Sequence, residues 1–384
     1  MTDHSAALTA SDRVFLEAAA QWAQPAIFHT SPNPAVGCLL VRGHEVIGRG
    51  RTEPAGGRHA EVVALDHARA QGHDPAGATA YVSLEPCAFE GRTPACADTL
   101  ARVGIARVVG ALTDPHPRVA GAGYARLRAA GVAVATAELD LAAANVRGFV
   151  HRHRHGRPFV RLKVGASLDG RTAMASGESQ WITGPAARAD VQYWRARSCA
   201  VVTGSGTVRD DDPQLNVRDE RFARDGALRQ PLRVVLDSQG TLSGRARIFT
   251  PGTEALRVTG PGVDRTSDGA AMPQVELPLT TVGGVDLAAL LRLLADRECN
   301  EVLVEAGPRL IGAFLASGLW DEALIYLAPK VLGSDARPLA SVAIQRLAAA
   351  ITGTIAAVEP IGDDLRLQFK NNQPVLQLPA SSEE

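Results

Sequence analysis

Apolar residues recur along the chain in two registers: short continuous runs bounded by glycine or polar residues, and longer stretches spaced by three and four. The runs AVGCLLV (35–41), TAYVSL (79–84) and RVVGAL (107–112) predict buried strands, and GHEVIGRG (43–50) continues the first as a hairpin. Between and after them the spacing predicts helices over 59–71, 94–103 and 121–130, the first two stopped by Gly72 and Gly104. Strands alternating with helices in this way predict an α/β layered domain.

The texture changes at RGFVHRHRHGRPF (147–159), a basic, histidine-rich run closed by Gly156 and Pro158. His151, His153 and His155 sit at alternate positions without a cysteine or carboxylate to complete a ligand set. The stretch therefore reads as a solvated linker, with a domain boundary near residue 155. Beyond it the alternation resumes: strands over 159–167, 199–205, 232–238, 301–307 and 322–333, and helices over 184–197, 286–298 and 308–318. Two domains result, 1–155 and 156–384. The last residues, NQPVLQLPASSEE, read as a loose tail.

Composition narrows the function without naming it. Two domains suit 384 residues, and 46% hydrophobic with 21% charged residues is ordinary globular usage. A formal net charge of −1 gives no global field for nucleic acid or an anionic membrane. The first twenty residues lack the pattern of a secretory signal, and no apolar stretch reaches the roughly 18 residues of a spanning helix. A cytoplasmic protein with neither a nucleic-acid nor a membrane partner is expected. Five cysteines, at 38, 87, 96, 199 and 299, make a poor disulfide framework, so any joint use points to metal. Of 40 basic residues only Lys163, Lys330 and Lys370 are lysines, which makes each of them conspicuous.

The chemistry begins at GGRHAEVVALDHA (56–68). His59 and Glu61 stand two apart at the mouth of a predicted helix, where side chains at that spacing do not face each other. A third object at the helix end would give the pair a purpose. Cys87 follows Pro86 after a strand, and Cys96 falls in the opening turn of the next helix, with Thr93 and Pro94 as its expected N-cap and first residue. A helix N-terminus favours thiolate over thiol. One imidazole and two thiolates make three protein ligands, the number that leaves a catalytic zinc one position for water, whose pKa falls to about 7. Glu61, beside the metal but not a ligand, would then carry protons. Taken singly, each residue has an ordinary role as a cap, a first-turn acid or a buried thiol; H-x-E followed by strand and P-C is the arrangement of the zinc deaminases.

SPNPAVGCLLV, HAEVVAL, YVSLEPC, GRTPAC and DPHPRVAGAG resemble the deaminase half of the bifunctional pyrimidine deaminase/reductase family of riboflavin biosynthesis. LKVGASLDGRTA, GESQWITG, ARADVQYWRA, TVRDDDPQLNVR, VLDS and VEAGPRLIGAFL are similar, in order, to its reductase half. The resemblance covers about residues 10 to 370. It implies a cytidine-deaminase-like three-layer domain followed by a dihydrofolate-reductase-like α/β domain. It also implies two reactions: hydrolytic removal of the 2-amino group of a diaminopyrimidinone ribosylamine 5′-phosphate, then reduction of the ribosyl group to ribityl by NADPH. Zinc would be held by His59, Cys87 and Cys96, with Glu61 catalytic. The assembly would be a homo-oligomer formed through the reductase domain. One departure stands out: the family commonly has histidine just after the first zinc cysteine, where this chain has Ala88, Phe89 and Glu90.

In the second half the residues themselves suggest phosphate chemistry. VLVEAGPRLIG (302–312) runs from strand through Gly307 and Pro308 into a helix, an arrangement that points free backbone N–H groups at an anion, although a plain helix start reads the same way. By resemblance, Gly307, Pro308, Arg309, Leu310, Ile311, Gly312 and Ala313 would hold NADPH together with Gly165, Trp181, Thr207, Asp211 and Ser238. Ser179, Arg195, Leu215, Arg218 and Glu305 would contact substrate, an arginine fork being suited to the 5′-phosphate. Lys163, on an alternating strand, would pair with Glu305 across the sheet and either donate a proton to the sugar ring oxygen or hold the cofactor ribose. The rivals are a deaminase of another pyrimidine, a reductase with a degenerate first domain, and a binding protein whose structural zinc takes Cys38 as a fourth ligand.

Overall fold

The continuous apolar runs become the central strands of two sheets. The computed structural model describes residues 8–89, 94–250, 254–263 and 272–378, and the chain divides into two units, Met1–Arg154 and His155–Glu384.

The first unit runs α1 (Ala10–Ala23), β1 (Gly37–Arg42), β2 (Glu45–Arg51), α2 (Ala60–Ala70), β3 (Thr79–Val82), α3 (Cys96–Val103), β4 (Arg107–Gly110), α4 (Ala122–Ala129), β5 (Ala133–Thr136), α5 (Asp140–Asn145) and α6 (Arg147–His155). Its sheet has the order β2-β1-β3-β4-β5. β1 is antiparallel to β2 and β3, while β3, β4 and β5 are parallel. Alternate side chains of β1 divide between two cores. Leu39 and Val41 pack with Leu16, Ala19 and Ala20 of α1 and Ala142 of α5. Cys38 and Leu40 pack with α2, α3, α4 and Phe149 of α6. The result is a three-layer α/β/α unit.

The second unit runs β6 (Phe159–Ser167), β7 (Arg171–Ala173), α7 (Pro185–Arg197), β8 (Ala200–Gly204), α8 (Ser205–Asp211), β9 (Leu232–Leu236), β10 (Ala255–Thr259), β11 (Gln274–Glu276), α9 (Leu287–Asp296), β12 (Glu301–Glu305), α10 (Pro308–Ser317), β13 (Glu322–Ala328), β14 (Arg337–Pro338), β15 (Gly353–Ile361) and β16 (Asp364–Asn371). Nine strands form one sheet in the order β11-β10-β9-β8-β12-β6-β13-β16-β15. It is parallel from β11 to β13 and ends in the antiparallel pairs β13–β16 and β16–β15. Val160, Leu162 and Val164 face α9 and α10, whereas Leu303, Leu324 and Tyr326 face α7 and α8. On that second face Arg161 lies between Glu301 (2.9 Å) and Glu322 (2.6 Å), and Arg197 binds Glu301 at 2.8 Å. Paired in this way, the buried charges are compensated at the sheet surface.

Several expectations change. Residues 147–155 are a helix, not a solvated linker: Phe149 and His151 are buried against the first unit, and the neighbouring polar residues hid the apolar face of α6. Its histidines do not gather around a metal. Among the described residues the one group of three or more potential metal donors is His59, Cys87 and Cys96. α3 begins at Cys96 with Ala95 at its N-cap, so Pro94 precedes the helix; Thr93 lies outside the described residues. β13 stops at Ala328, where Pro329 has no N–H for a ladder and the Lys330 N–H turns back to the Ala328 carbonyl (2.8 Å). The tail is tied down as far as it is described: Leu378 N–H donates to His155 O (2.9 Å) and Arg157 Nε to Leu376 O (3.0 Å).

Candidate metal centre and cofactor cleft

The first site is built on the close approach of α2 to β2. A Cβ on Gly50 would stand 2.2 Å from the Ala60 carbonyl oxygen, and one on Gly48 2.5 Å from that of Ala64. Glycine at both positions lets the helix lie directly on the strand. His59 is the N-cap of α2, in extended conformation, so its ring leaves the helix axis rather than lying on a face. Glu61, in the first turn, is buried. The pair that cannot meet on a helix surface thus converges from a cap and a first turn.

Cys87 and Cys96 complete the group. His59 Nδ1 lies 3.6 Å from Cys87 Sγ and 3.3 Å from Cys96 Sγ, and the Cys96 backbone N–H donates to Cys87 Sγ at 3.2 Å. A tetrahedral zinc, about 2.3 Å from sulfur and 2.0–2.1 Å from nitrogen, spaces its ligands by roughly 3.5–3.8 Å, so the donor set fits zinc in both kind and spacing. The Cys87 thiol is pushed down to about 4, first by its hydrogen bond with Cys96 and then, against burial, by His59; the same hydrogen bond and burial push Cys96 up. The hydrogen bond to Cys87 raises His59 to about 9. Burial raises Glu61 to about 7, against the attraction of His59. Cys38 is fully buried in the core on β1 and outside the donor group, so the fourth ligand that a structural site requires is not supplied there. Where the family's histidine is missing, Ala88 is buried and Phe89 is stacked between Arg118 (4.4 Å) and His116 (5.7 Å). Glu90 lies outside the described residues.

The second site is a cleft of about 1280 Å³ in the second unit. Lys163 on β6 and Glu305 on β12 are register partners, with Nζ 3.6 Å from Oε2. Arg195 of α7 grips the same carboxylate, Nε at 2.5 Å and Nη2 at 3.1 Å, while its Nη1 donates to the Asn216 carbonyl (3.2 Å). Burial would raise Glu305, but Arg195 and then Lys163 hold it at about 2. Arg195 therefore does not present the open fork expected for a phosphate. Arg218 is exposed, and desolvation together with Arg195 and Arg247 lowers its pKa, against the attraction of Glu305. Arg247 also lines the cleft; nothing in the sequence distinguishes it from the many other arginines.

The expected cofactor and substrate residues gather along the same cleft. Gly165, Ser179, Trp181, Thr207, Asp211, Leu215 and Ser238 line it. Ser179 Oγ donates to Asp211 (3.1 Å), and the Gly307 N–H donates to Thr207 Oγ1 (3.2 Å). Trp181 is not core packing: it is 61% exposed, with the Arg188 guanidinium 4.3 Å over its ring. Lys330, the second conspicuous lysine, donates to the Trp181 carbonyl (2.7 Å). Gly307 caps α10 and Pro308 opens it; these two, with Arg309, Leu310 and Ala313, face the cleft. Ile311 turns into the core, and Gly312 packs on the Ser341 backbone. The helix N-terminus, the exposed tryptophan and the volume of the cleft suit a phosphorylated dinucleotide.

A donor set that fits zinc beside a buried carboxylate in one unit, and a large cleft bordered by a helix N-terminus in the other, define a two-domain enzyme. Residues 9–112 match the family described as "Cytidine and deoxycytidylate deaminase zinc-binding region", and residues 158–366 match "RibD C-terminal domain". The chain is 44% identical to the riboflavin biosynthesis protein RibD of Escherichia coli (strain K12), over 93% of this chain and 99% of that one. Among solved structures it resembles Acinetobacter baumannii RibD, form 1, with TM-score 0.86 and 42% identity, covering 94% of this chain and 99% of the other. A Thermotoga maritima protein described as a diaminohydroxyphosphoribosylaminopyrimidine deaminase/5-amino-6-(5-phosphoribosylamino)uracil reductase matches with TM-score 0.83 and 30% identity, over 94% and 98% of the two chains.

The chain belongs to the RibD family of riboflavin biosynthesis. It is a bifunctional enzyme, a zinc-dependent deaminase and an NADPH-dependent reductase acting on a small pyrimidine substrate, and its deaminase domain is present rather than degenerate. No helix among the described residues is long and apolar enough to cross a membrane.

Proposed function

We propose that residues 1–155 remove the 2-amino group of a diaminopyrimidinone ribosylamine 5′-phosphate by hydrolysis, and that residues 156–384 then reduce the ribosyl group of the product to ribityl. The observation that carries the first half is the convergence of three zinc donors with a buried carboxylate. His59, Cys87 and Cys96 hold the metal. Zinc, when bound, supplies the Lewis acidity that makes water nucleophilic near neutral pH. Glu61 accepts the proton of the attacking water and returns it to the departing amine, so that a carbonyl and ammonia leave the site. Glu61 is buried beside the donor set, where its carboxylate serves as base and then acid.

NADPH supplies the hydride in the second half. Lys163 Nζ, beside Glu305, gives a proton to the sugar ring oxygen as the ring opens. Arg195 fixes the Glu305 carboxylate so that it can orient the sugar. Ser179 and Leu215 border the substrate, and Arg218 takes its 5′-phosphate. The free first-turn N–H groups of Arg309 and Leu310 take cofactor phosphate, with Gly307, Pro308 and Ala313 bordering it and Gly165, Trp181, Thr207, Asp211 and Ser238 along the cofactor; the Ile311 N–H is spent on the Gly307 carbonyl, so Ile311 and Gly312 act through packing. Assembly through the second unit is supported by β15, a nine-residue edge strand with Ile355 and Val358 exposed. A cytoplasmic setting suits the thiols of Cys38, Cys199 and Cys299, none of them in a disulfide among the described residues.

Two variants with separate readouts test this assignment. Glu61→Gln should cut ammonia release by roughly 10²–10⁴-fold while keeping zinc and leaving NADPH oxidation of pre-deaminated substrate intact. Lys163→Ala should abolish NADPH oxidation and leave ammonia release unchanged. Normal reduction by Lys163→Ala, or normal deamination by Glu61→Gln, refutes the corresponding half.

A further inference from the structure

The stretch DPHPRVAGAG (114–123) lines neither the metal donor set nor the cofactor cleft, yet it is fastened to the zinc-binding loop through one side chain. Glu85, two residues before Cys87, is 3% exposed. Its Oε1 accepts the backbone N–H groups of Gly123 (2.8 Å) and Tyr124 (3.3 Å), and its Oε2 those of Asp114 (3.0 Å) and Gly121 (2.9 Å). Its own N–H donates to Leu112 O at 2.9 Å. The contact between the two loops is close: a Cβ on Gly123 would stand 1.9 Å from the Pro86 carbonyl oxygen. On its other side, the Cys87 carbonyl accepts the Ala97 N–H (3.2 Å), and its sulfur accepts the Cys96 N–H. Cys87 is thus gripped from α3 on one flank and, through Glu85, from the β4–α4 loop on the other.

We propose that Glu85 is a positioning residue for the metal: its carboxylate locks the Cys87 loop to the 114–124 loop and so fixes where Cys87 Sγ stands relative to His59 and Cys96. The proposal rests on those three residues being the zinc ligands. Four backbone amides converge on the two oxygens of one side chain, two on each, a set of acceptors that a carboxylate of this length supplies and an amide does not. A glutamine here aims an amide NH₂ at two N–H groups and forfeits half the lock. Residues that orient a metal ligand typically contribute 10–100-fold to metal affinity.

The test uses the full chain as wild type, Glu85→Gln, Glu85→Asp and Cys87→Ser. Zinc affinity is measured by competition with a chromophoric chelator, the cobalt(II)-substituted protein by absorption, and the unfolding midpoint of the first unit with and without zinc. Wild type should show thiolate-to-cobalt charge transfer, lost in part in Cys87→Ser. Glu85→Gln should bind zinc roughly 10–100-fold more weakly, shift the cobalt bands and gain less stability from zinc, with Glu85→Asp between. NADPH oxidation of pre-deaminated substrate should be unchanged in all three. Should Glu85→Gln unfold the first unit by circular dichroism, Glu85→Asp carries the comparison. Wild-type zinc affinity and cobalt spectrum in the folded variant, or equal destabilisation with and without zinc, overturns the proposal. Unchanged metal binding by Cys87→Ser instead overturns the ligand assignment, and the proposal falls with it.

Discussion

Glu305 is the most heavily committed single residue of the second unit. Buried and bound by Arg195 on two nitrogens, it remains ionised far below the range of an exposed carboxylate. Replacing Arg195 by leucine leaves that charge with Lys163 at 3.6 Å alone, and should cost the second unit roughly 3–5 kcal/mol in urea unfolding. The sign of the pH effect follows from the direction of the shift. The folded pKa, about 2, lies below the ordinary value of 4.5, so the contribution is complete above 4.5 and is lost as pH falls toward 2. Unfolding midpoints between pH 5 and 2.5 should show this slope in wild type and a shallower one in Glu305→Gln, the remainder coming from Glu301, whose carboxyl, against burial, Arg197 and Arg161 also hold down. At this scale the chemistry is largely legible in the sequence. His59, Glu61, Cys87 and Cys96 each have an ordinary structural role singly, but together they make a donor set with a proton carrier, and Lys163 stands out in a chain of arginines. That the Arg195 fork is already closed on Glu305 is not legible, because which acid an arginine meets is settled by strand register.

At the scale of elements, α2 shows how packing places chemistry. With β2 presenting Gly48 and Gly50 to it, α2 sits close enough for its cap to reach the cysteines. Gly50→Ala puts a methyl on the Ala60 carbonyl and should push the helix mouth away, lowering zinc content and ammonia release by at least about tenfold while NADPH oxidation persists. The helix α6 carries a pH effect of its own. Burial first, then Arg152 and His116, lower His153 to about 4, against an ordinary value of 6.5. The folded state prefers the neutral ring, so stability is present above 6.5 and declines as pH falls toward 4. Hydrogen-exchange protection of the α6 amides should fall between pH 7 and 5 in wild type, and less in His153→Phe. Elements whose apolar face is narrow and set between polar runs are the ones the pattern hides. α6 has the composition of a linker because its buried side is Gly148, Phe149 and His151. β15 has no buried position, which leaves no period to read, whereas β16 alternates Leu365, Leu367 and Phe369 with Arg366, Gln368 and Lys370, a strand period that is legible in the sequence. α1 is a different case: its capping box, Thr9 with Asp12, is visible in the sequence, but an alanine-rich helix ahead of the first strand carries little periodic signal.

For the molecule as a whole, the near-neutral charge and the two α/β halves exclude little by themselves. What they gain from the structure is a division of labour: among the described residues the group of metal donors lies in one unit and the large cleft in the other. Nothing in the first site calls on NADPH, so deamination should run alone and precede reduction. The most direct measurement offers the diaminopyrimidinone ribosylamine 5′-phosphate to the zinc-loaded protein without NADPH and follows ammonia, then adds NADPH and follows its oxidation. One equivalent of ammonia per substrate before any NADPH is present, followed by one equivalent of NADPH consumed on addition, is the predicted result. Ammonia that appears only after NADPH is supplied, or NADPH consumed without prior ammonia, would contradict the account.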